Sequence, residues 1–235
     1  MSSRSSILRI VTLDLGVVTP PKDHSDFGAP TVIQGFVIEM TAGVILVDTG
    51  MGDEDSRIDA LFKPVRRSLA TAFAESAIDP DRIVAIVVSH LHFDHVGALR
   101  EFPGIPIHVQ RDELAAARQP RYTIRSRIED PSLHYIEHAG DDQVCEDVRL
   151  IATPGHTPGH QSVAVETNDG LAILACQAAY TPEEWTDPSF AHPAGAGSAW
   201  HREHYLKSLN KLRSMNPVEV RFTHDRRVLR PSNEI

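Results

Sequence analysis

The chain has 235 residues, 41% of them hydrophobic, which is enough for one substantial core and short for two independent ones. A formal net charge of −9 argues against a nucleic-acid partner, whose phosphates need a basic surface. The two cysteines, Cys145 and Cys176, are too few for a disulfide framework and have no metal-type spacing to each other. No apolar run reaches membrane-spanning length, and the start "MSSRSSILRIVTLDLG" lacks a secretory signal's apolar region and cleavage site. The expectation is a soluble cytoplasmic protein, a single domain over residues 1–235, with no membrane partner.

Strand-like runs fill the first fifty residues: "ILRIVTLDLGVV", "TVIQGFVIEM" and "GVILVDTG", the last two joined by a hairpin signal, "TAG". The loop "TPPKDHSDFGAP" between the first two is long enough to reach over a site. Helical spacing from about Ile58 to Ala77 predicts a helix interrupted by Pro64. "IVAIVVS" is a continuous β-branched run, as in a strand buried on both faces. "IPIHVQ" reads as a strand and "RDELAAARQ" as a helix, while the polar segment Pro120–Gly140 reads as an insertion covering one face. "VRLIATPG", "QSVAVET" and "LAILACQ" are three further strands, "SAWHREHYLKSLNKLRSM" an amphipathic helix, and "VEVRFTHD" a last strand and turn. Two packed sheets with helices outside suit this order.

The thirteen histidines matter for their placement. "SHLHFDHVGAL" follows the buried strand directly and sets three imidazoles and a carboxylate within six residues, His90, His92, Asp94 and His95. In an extended segment residues two apart point the same way, so His90 and His92 can share one cation. Asp94 and His95, where the chain should turn into a helix, suit a second cation beside it. "ATPGHTPGHQS" is a tight Pro/Gly loop able to aim His156 at a site built from distant sequence, with His160 a supporting or structural residue. His224, in "RFTHDRR", is weak evidence alone.

The string H-x-H-x-D-H, the later "TPGHTPGH" and the late strand ending in His-Asp resemble the metallo-β-lactamase superfamily over nearly the whole chain. That resemblance implies an αββα sandwich, two mixed sheets with helices on both outer faces and metals at one edge. It implies His90, His92 and His156 as ligands of one metal and Asp94, His95 and His224 of the second, with Asp48 of "ILVDTG" supporting them. "SHLHFDHVG", "TPGHTPGHQS", "AAYTPEEW" and "THD" look most like the N-acyl-homoserine-lactonase branch. There, a tyrosine three positions after a bridging Asp contacts the substrate carbonyl, and Tyr180 stands three after Gln177.

Gln177 is the departure, a neutral amide where the resemblance places the bridging carboxylate. An amide offers one good oxygen and no charge, so two nearby cations lose part of their screening. The strand "LAILACQ" points Cys176 to the opposite face from Gln177, small and buried, although a register slip would make the thiol a soft ligand. Gln177 then either ligates one ion or stands off in hydrogen bonds, and the site holds one or two ions of zinc, with manganese, iron or cobalt as alternatives.

The chemistry this set points to is a metal-dependent hydrolase opening a lactone or a related small ester by attack of water activated at the metal, with Asp94 carrying a proton and Tyr180 stabilising the oxyanion. Other readings stay open: hydrolysis of an aryl ether or phosphotriester, a mononuclear iron enzyme oxidising sulfur, or a non-catalytic binding protein. The partner is a small molecule. Trp185, Phe190, His192 and Trp200 are candidates for an apolar pocket wall, and exposed apolar loops leave room for a homodimer.

Overall fold

The computed structural model describes residues 5–21, 29–190 and 199–231. The first sheet has the order β4-β1-β2-β3-β5-β6-β7 and the second β12-β11-β10-β9-β8. Its strands are β1 (Ile7–Val18), β2 (Thr31–Met40), β3 (Gly43–Val47), β4 (Val65–Arg66), β5 (Ile83–Val87), β6 (Pro106–Gln110) and β7 (His134–His138). The second sheet holds β8 (Asp142–Cys145), β9 (Val148–Ala152), β10 (Gln161–Thr167), β11 (Gly170–Cys176) and β12 (Glu219–Phe222). Both sheets are mixed: β1, β2 and β3 pair antiparallel, β3, β5, β6 and β7 pair parallel, and β12 joins β11 in parallel.

Side-chain alternation sorts the strands into layers. Phe36, Ile38, Ile45, Val47, Ala85 and Val87 face Val148, Leu150, Val163, Leu174 and Cys176 of the other sheet and form the core between them. The intervening residues Val37, Val44, Leu46 and Ile86 turn outward onto Leu69 and Phe73 of α2 (Leu69–Ser76). On the far side, Ile173, Ala175 and Val220 pack on Leu209 and Leu212 of α6 (Ala199–Arg213). The remaining helices are α1 (Ser56–Phe62), α3 (Arg111–Ala117), α4 (Arg125–Ile128) and α5 (Pro182–Thr186). Helices thus cover both outer faces, the αββα arrangement expected.

Three local expectations change. The helix over Ile58–Ala77 is not one interrupted helix: α1 ends at Lys63, left-handed at φ 44°, and Val65–Arg66 form a strand on β1. That pairing depends on Gly16, at φ 117°, where a Cβ would sit 2.1 Å from the Val65 carbonyl oxygen. The Pro120–Gly140 segment is not a mere cover, since it contributes α4 and the edge strand β7. After His95 the chain makes turns and one short 3₁₀ segment, Leu99–Glu101, rather than a helix. Strand β8 had no alternation to announce it. No helix among the described residues is long and apolar enough to cross a membrane.

Candidate metal centre

The site lies where loops leave the same end of both sheets. Residues 90–95 follow β5, His156 follows β9, Gln177 and Tyr180 follow β11, and His224 follows β12. Two donor groups form: His90, His92 and His156, and beside them Asp94, His95 and His224, each set with its ligand atoms within 4.8 Å of one another. Each set takes two residues from the first sheet's loop and one from the second sheet's.

The first set is nearly an equilateral triangle of ring nitrogens. His90 Nε2 lies 3.0 Å from His92 Nδ1, and His156 Nε2 lies 3.2 Å from each. Three nitrogens around a tetrahedral zinc-type ion, at about 2.0–2.1 Å each, would be separated by about 3.3 Å. The hydrogen bonds behind the rings assign their lone pairs. Ser89 Oγ donates to Asp48 Oδ2 at 2.8 Å and so accepts from His90 Nδ1 at 3.1 Å, which leaves His90 Nε2 bare. Burial pushes His90 and His156 well below the ordinary imidazole pKa and His92 down to about 4, so all three are neutral donors.

In the second set, His95 Nδ1 donates to Asp48 Oδ2 at 2.8 Å and His224 Nδ1 to the Val32 carbonyl at 2.8 Å. Their Nε2 atoms face Asp94 Oδ2 at 3.4 Å and 3.9 Å. Burial opposes charge on both His95 and Asp94, but each outweighs it for the other. Asp94 and Asp48 raise His95 to about 10, while His95 and His224 hold Asp94 well below the usual carboxylate range. A cation entering this set therefore competes with a proton.

Buried polar atoms test whether divalent cations fit. Gln177 Oε1 is buried without a hydrogen-bond partner, an arrangement that costs free energy unless something else takes its lone pairs, and His95 Nε2 has only Asp94 Oδ2 beside it, at 3.4 Å. Lone pairs converging from three neutral imidazoles, next to a carboxylate flanked by two more, repel one another until a cation sits among them. The donor sets fit divalent cations.

Gln177 follows the last residue of β11, with its backbone N–H donating to His160 Nε2 at 3.1 Å. His160 is thus the supporting residue expected; its Nδ1 is held by Thr153 Oγ1 at 2.9 Å. The Gln177 amide donates to Tyr180 Oη at 2.8 Å, and Tyr180 Oη meets His156 Nδ1 at 3.0 Å. Because His156 Nε2 points into the first set, its Nδ1 carries the proton and donates to Tyr180. Two bonds then enter the phenol oxygen. Cys176, at φ 54°, is fully buried against the inter-sheet core and belongs to neither donor set, so the slipped register does not occur.

A cavity of about 590 Å³ opens over the donors. His92, Asp94, His156, Gln177, Tyr180 and His224 line its floor, and Val18, Pro20, Ile58, Leu61, Phe62 and Phe93 its apolar wall. The wall from α1 was not foreseen, since nothing in "SRIDALF" sets it apart from a core helix. Of the residues put forward for the wall, Trp185 is buried against the α6 side of the second sheet and Phe190 is exposed away from the cavity. His192 and the Trp200 side chain lie outside the described residues.

One further residue escaped the sequence reading. Glu113, in the first turn of α3, is fully buried beneath the donor loops. Its Oε1 accepts from Leu91 N at 2.8 Å and from the Tyr122 hydroxyl, and its Oε2 from Thr157 Oγ1 at 2.7 Å and Gly159 N at 3.1 Å. In "RDELAAARQ" it looks like any solvated helix carboxylate, and only the tertiary fold buries it.

Residues 30–224 match the family model for the metallo-beta-lactamase superfamily, and the chain belongs to that superfamily. Within it, the chain is 35% identical over 207 residues to an N-acyl homoserine lactonase of Bacillus cereus, covering 81% of this chain and 80% of the relative. It is 28% identical over 224 residues to an N-acyl homoserine lactonase of Azorhizobium caulinodans, covering 89% and 80% respectively. A solved N-acyl homoserine lactone hydrolase, with the product N-hexanoyl-L-homoserine bound at its catalytic metal centre, superposes with a TM-score of 0.78. That pair is 28% identical, over 94% of this chain and 95% of the other.

Proposed function

We propose that this chain acts as a single domain and hydrolyses N-acyl homoserine lactones or closely related small lactones and esters, using one or two divalent ions of the zinc type. The observation that carries the reading is the pair of donor sets at the floor of a cavity with an apolar wall, with Tyr180 lining it and its Oη 3.0 Å from His156 Nδ1. The names of its homologues and the product-bound neighbour agree with it. In this reading His90, His92 and His156 hold one ion and Asp94, His95 and His224 the other, with Gln177 contributing its otherwise unsatisfied oxygen. Bound there, a divalent ion supplies Lewis acidity and brings water toward a neutral pKa.

The side chains account for the rest. The apolar wall takes an acyl chain, and 590 Å³ is ample for a lactone ring with a medium tail. Tyr180, its oxygen already accepting from Gln177 and His156, donates to the carbonyl oxygen as charge develops there. Asp94 is ionised and can carry a proton from the attacking water to the leaving alkoxide.

The test is lactone opening by proton release, with zinc-loaded and metal-free protein side by side. Loaded protein should open N-acyl homoserine lactones and metal-free protein should not. Tyr180→Phe should lower kcat by about 10- to 1,000-fold with its metal content unchanged. A fully loaded protein inert toward lactones and esters would overturn the reading.

A further inference from the structure

We infer that Glu113 is a positioning residue that locks the two donor loops to each other and to the cavity wall, and thereby sets the cation affinity of the His90/His92/His156 set. The inference rests on the reading of those histidines as ligands.

Its four partners belong to three segments that the sequence keeps far apart. Leu91 lies between His90 and His92. Thr157 and Gly159 directly follow His156. Tyr122 packs its ring 4.8 Å from that of His92 and lines the cavity. One carboxylate thus fixes the backbone on which all three imidazoles of the set are mounted. The approach is close enough to exclude a side chain at Gly159, where a Cβ would lie 2.1 Å from Glu113 N.

Charge supplies a second argument. None of the four groups bonded to Glu113 is positively charged, yet two of them are amide N–H groups that can only donate. A fully buried carboxylate without a cationic partner is costly. Cations at the donor sets would balance it across the loops it holds. A glutamine could not replace it, because its NH₂ would face one of the two amide donors.

The experiment is zinc competition with a chromophoric chelator, on the full chain, for wild type, Glu113→Gln, Thr157→Val and Met40→Ala, with thermal midpoints recorded for each metal-free protein. Met40 is buried in the inter-sheet core at the hairpin end of β2, the end opposite Val32 and His224, and reports what loss of stability alone does. Glu113→Gln should bind its first zinc about 10- to 100-fold more weakly, as for other residues that orient ligands, and Thr157→Val by a smaller factor in the same direction. Met40→Ala should lower the midpoint and leave the affinity unchanged. Should Glu113→Gln not fold, Thr157→Val carries the test alone. Wild-type affinity in the folded Glu113 or Thr157 variant, or an equal loss in Met40→Ala, overturns the inference while leaving the ligand assignment standing. A wild type that takes up no zinc overturns both.

Discussion

Gln177 is where the chain's chemistry departs most from a doubly charged metal clamp. Two divalent ions about 3.5–4 Å apart repel strongly, and negative charge among their ligands is what makes the closeness tolerable. The two donor sets contain one carboxylate, Asp94; Asp48 stands behind His95. An amide beside them adds an oxygen but no screening. Gln177→Asp should therefore retain its second ion at a chelator concentration on the order of 10- to 100-fold above that which strips the wild type. Elemental analysis after stepwise chelation reads this directly, and matching stripping curves would show that the amide screens as well as the acid.

At the scale of elements, α1 and β4 do work that the sequence hid. The apolar residues of Ile58–Ala77 fit helical spacing, but Pro64 and the left-handed Lys63 divide the segment, and β1 captures Val65 and Arg66 from the link between the helices. Since Gly16 leaves room for that capture, Gly16→Val should destabilise the protein by about 1–3 kcal/mol, measured as a lowered denaturant midpoint. An unchanged midpoint would mean that β4 is dispensable. Helix α1 in turn presents Leu61 and Phe62 to the cavity, with the Phe62 ring 4.9 Å from that of Phe93. Phe62→Ala should lower kcat/KM for long-chain lactones several-fold more than for short-chain ones; equal losses would place the acyl chain elsewhere. The donors, by contrast, were legible. His90, His92, Asp94 and His95 fall within six residues, and "TPGHTPGH" fixes His156 in a loop that cannot be anything regular. Glu113, Ser89 and the α1 wall were not legible, because each depends on which distant loop packs over it, and single residues in ordinary helical or strand contexts carry no trace of that.

For the molecule as a whole, the buried imidazoles make the stability of the metal-free protein depend on pH in a definite sense. Burial holds His92 at about 4 and His160 at about 3, and keeps His90 and His156 well below 6.5. Once unfolded, all four accept protons near 6.5. The unfolded chain therefore binds more protons than the native one as pH falls from there toward 4, and stability is lost on acidification. His95 runs the other way: raised to about 10, its contribution is complete below 6.5 and is lost as pH climbs through 10. Thermal midpoints of the metal-free protein should accordingly drop as pH falls from 6.5 toward 4 and as it rises from 6.5 toward 10. A midpoint that stays level from pH 7 to 4.5 would contradict the burial of those rings.

The first sheet is drawn entirely from residues 7–138 and the second from 142–222, so the seam between the sheets is also a boundary along the chain. Because each donor set borrows two residues from one side of that boundary and one from the other, neither part owns a complete set of ligands. The ions would then work as rivets between the two parts. A chain cut in the turn at residues 139–141 should yield fragments whose reassembly tracks the supply of metal, a mechanical role for ions otherwise assigned only chemistry.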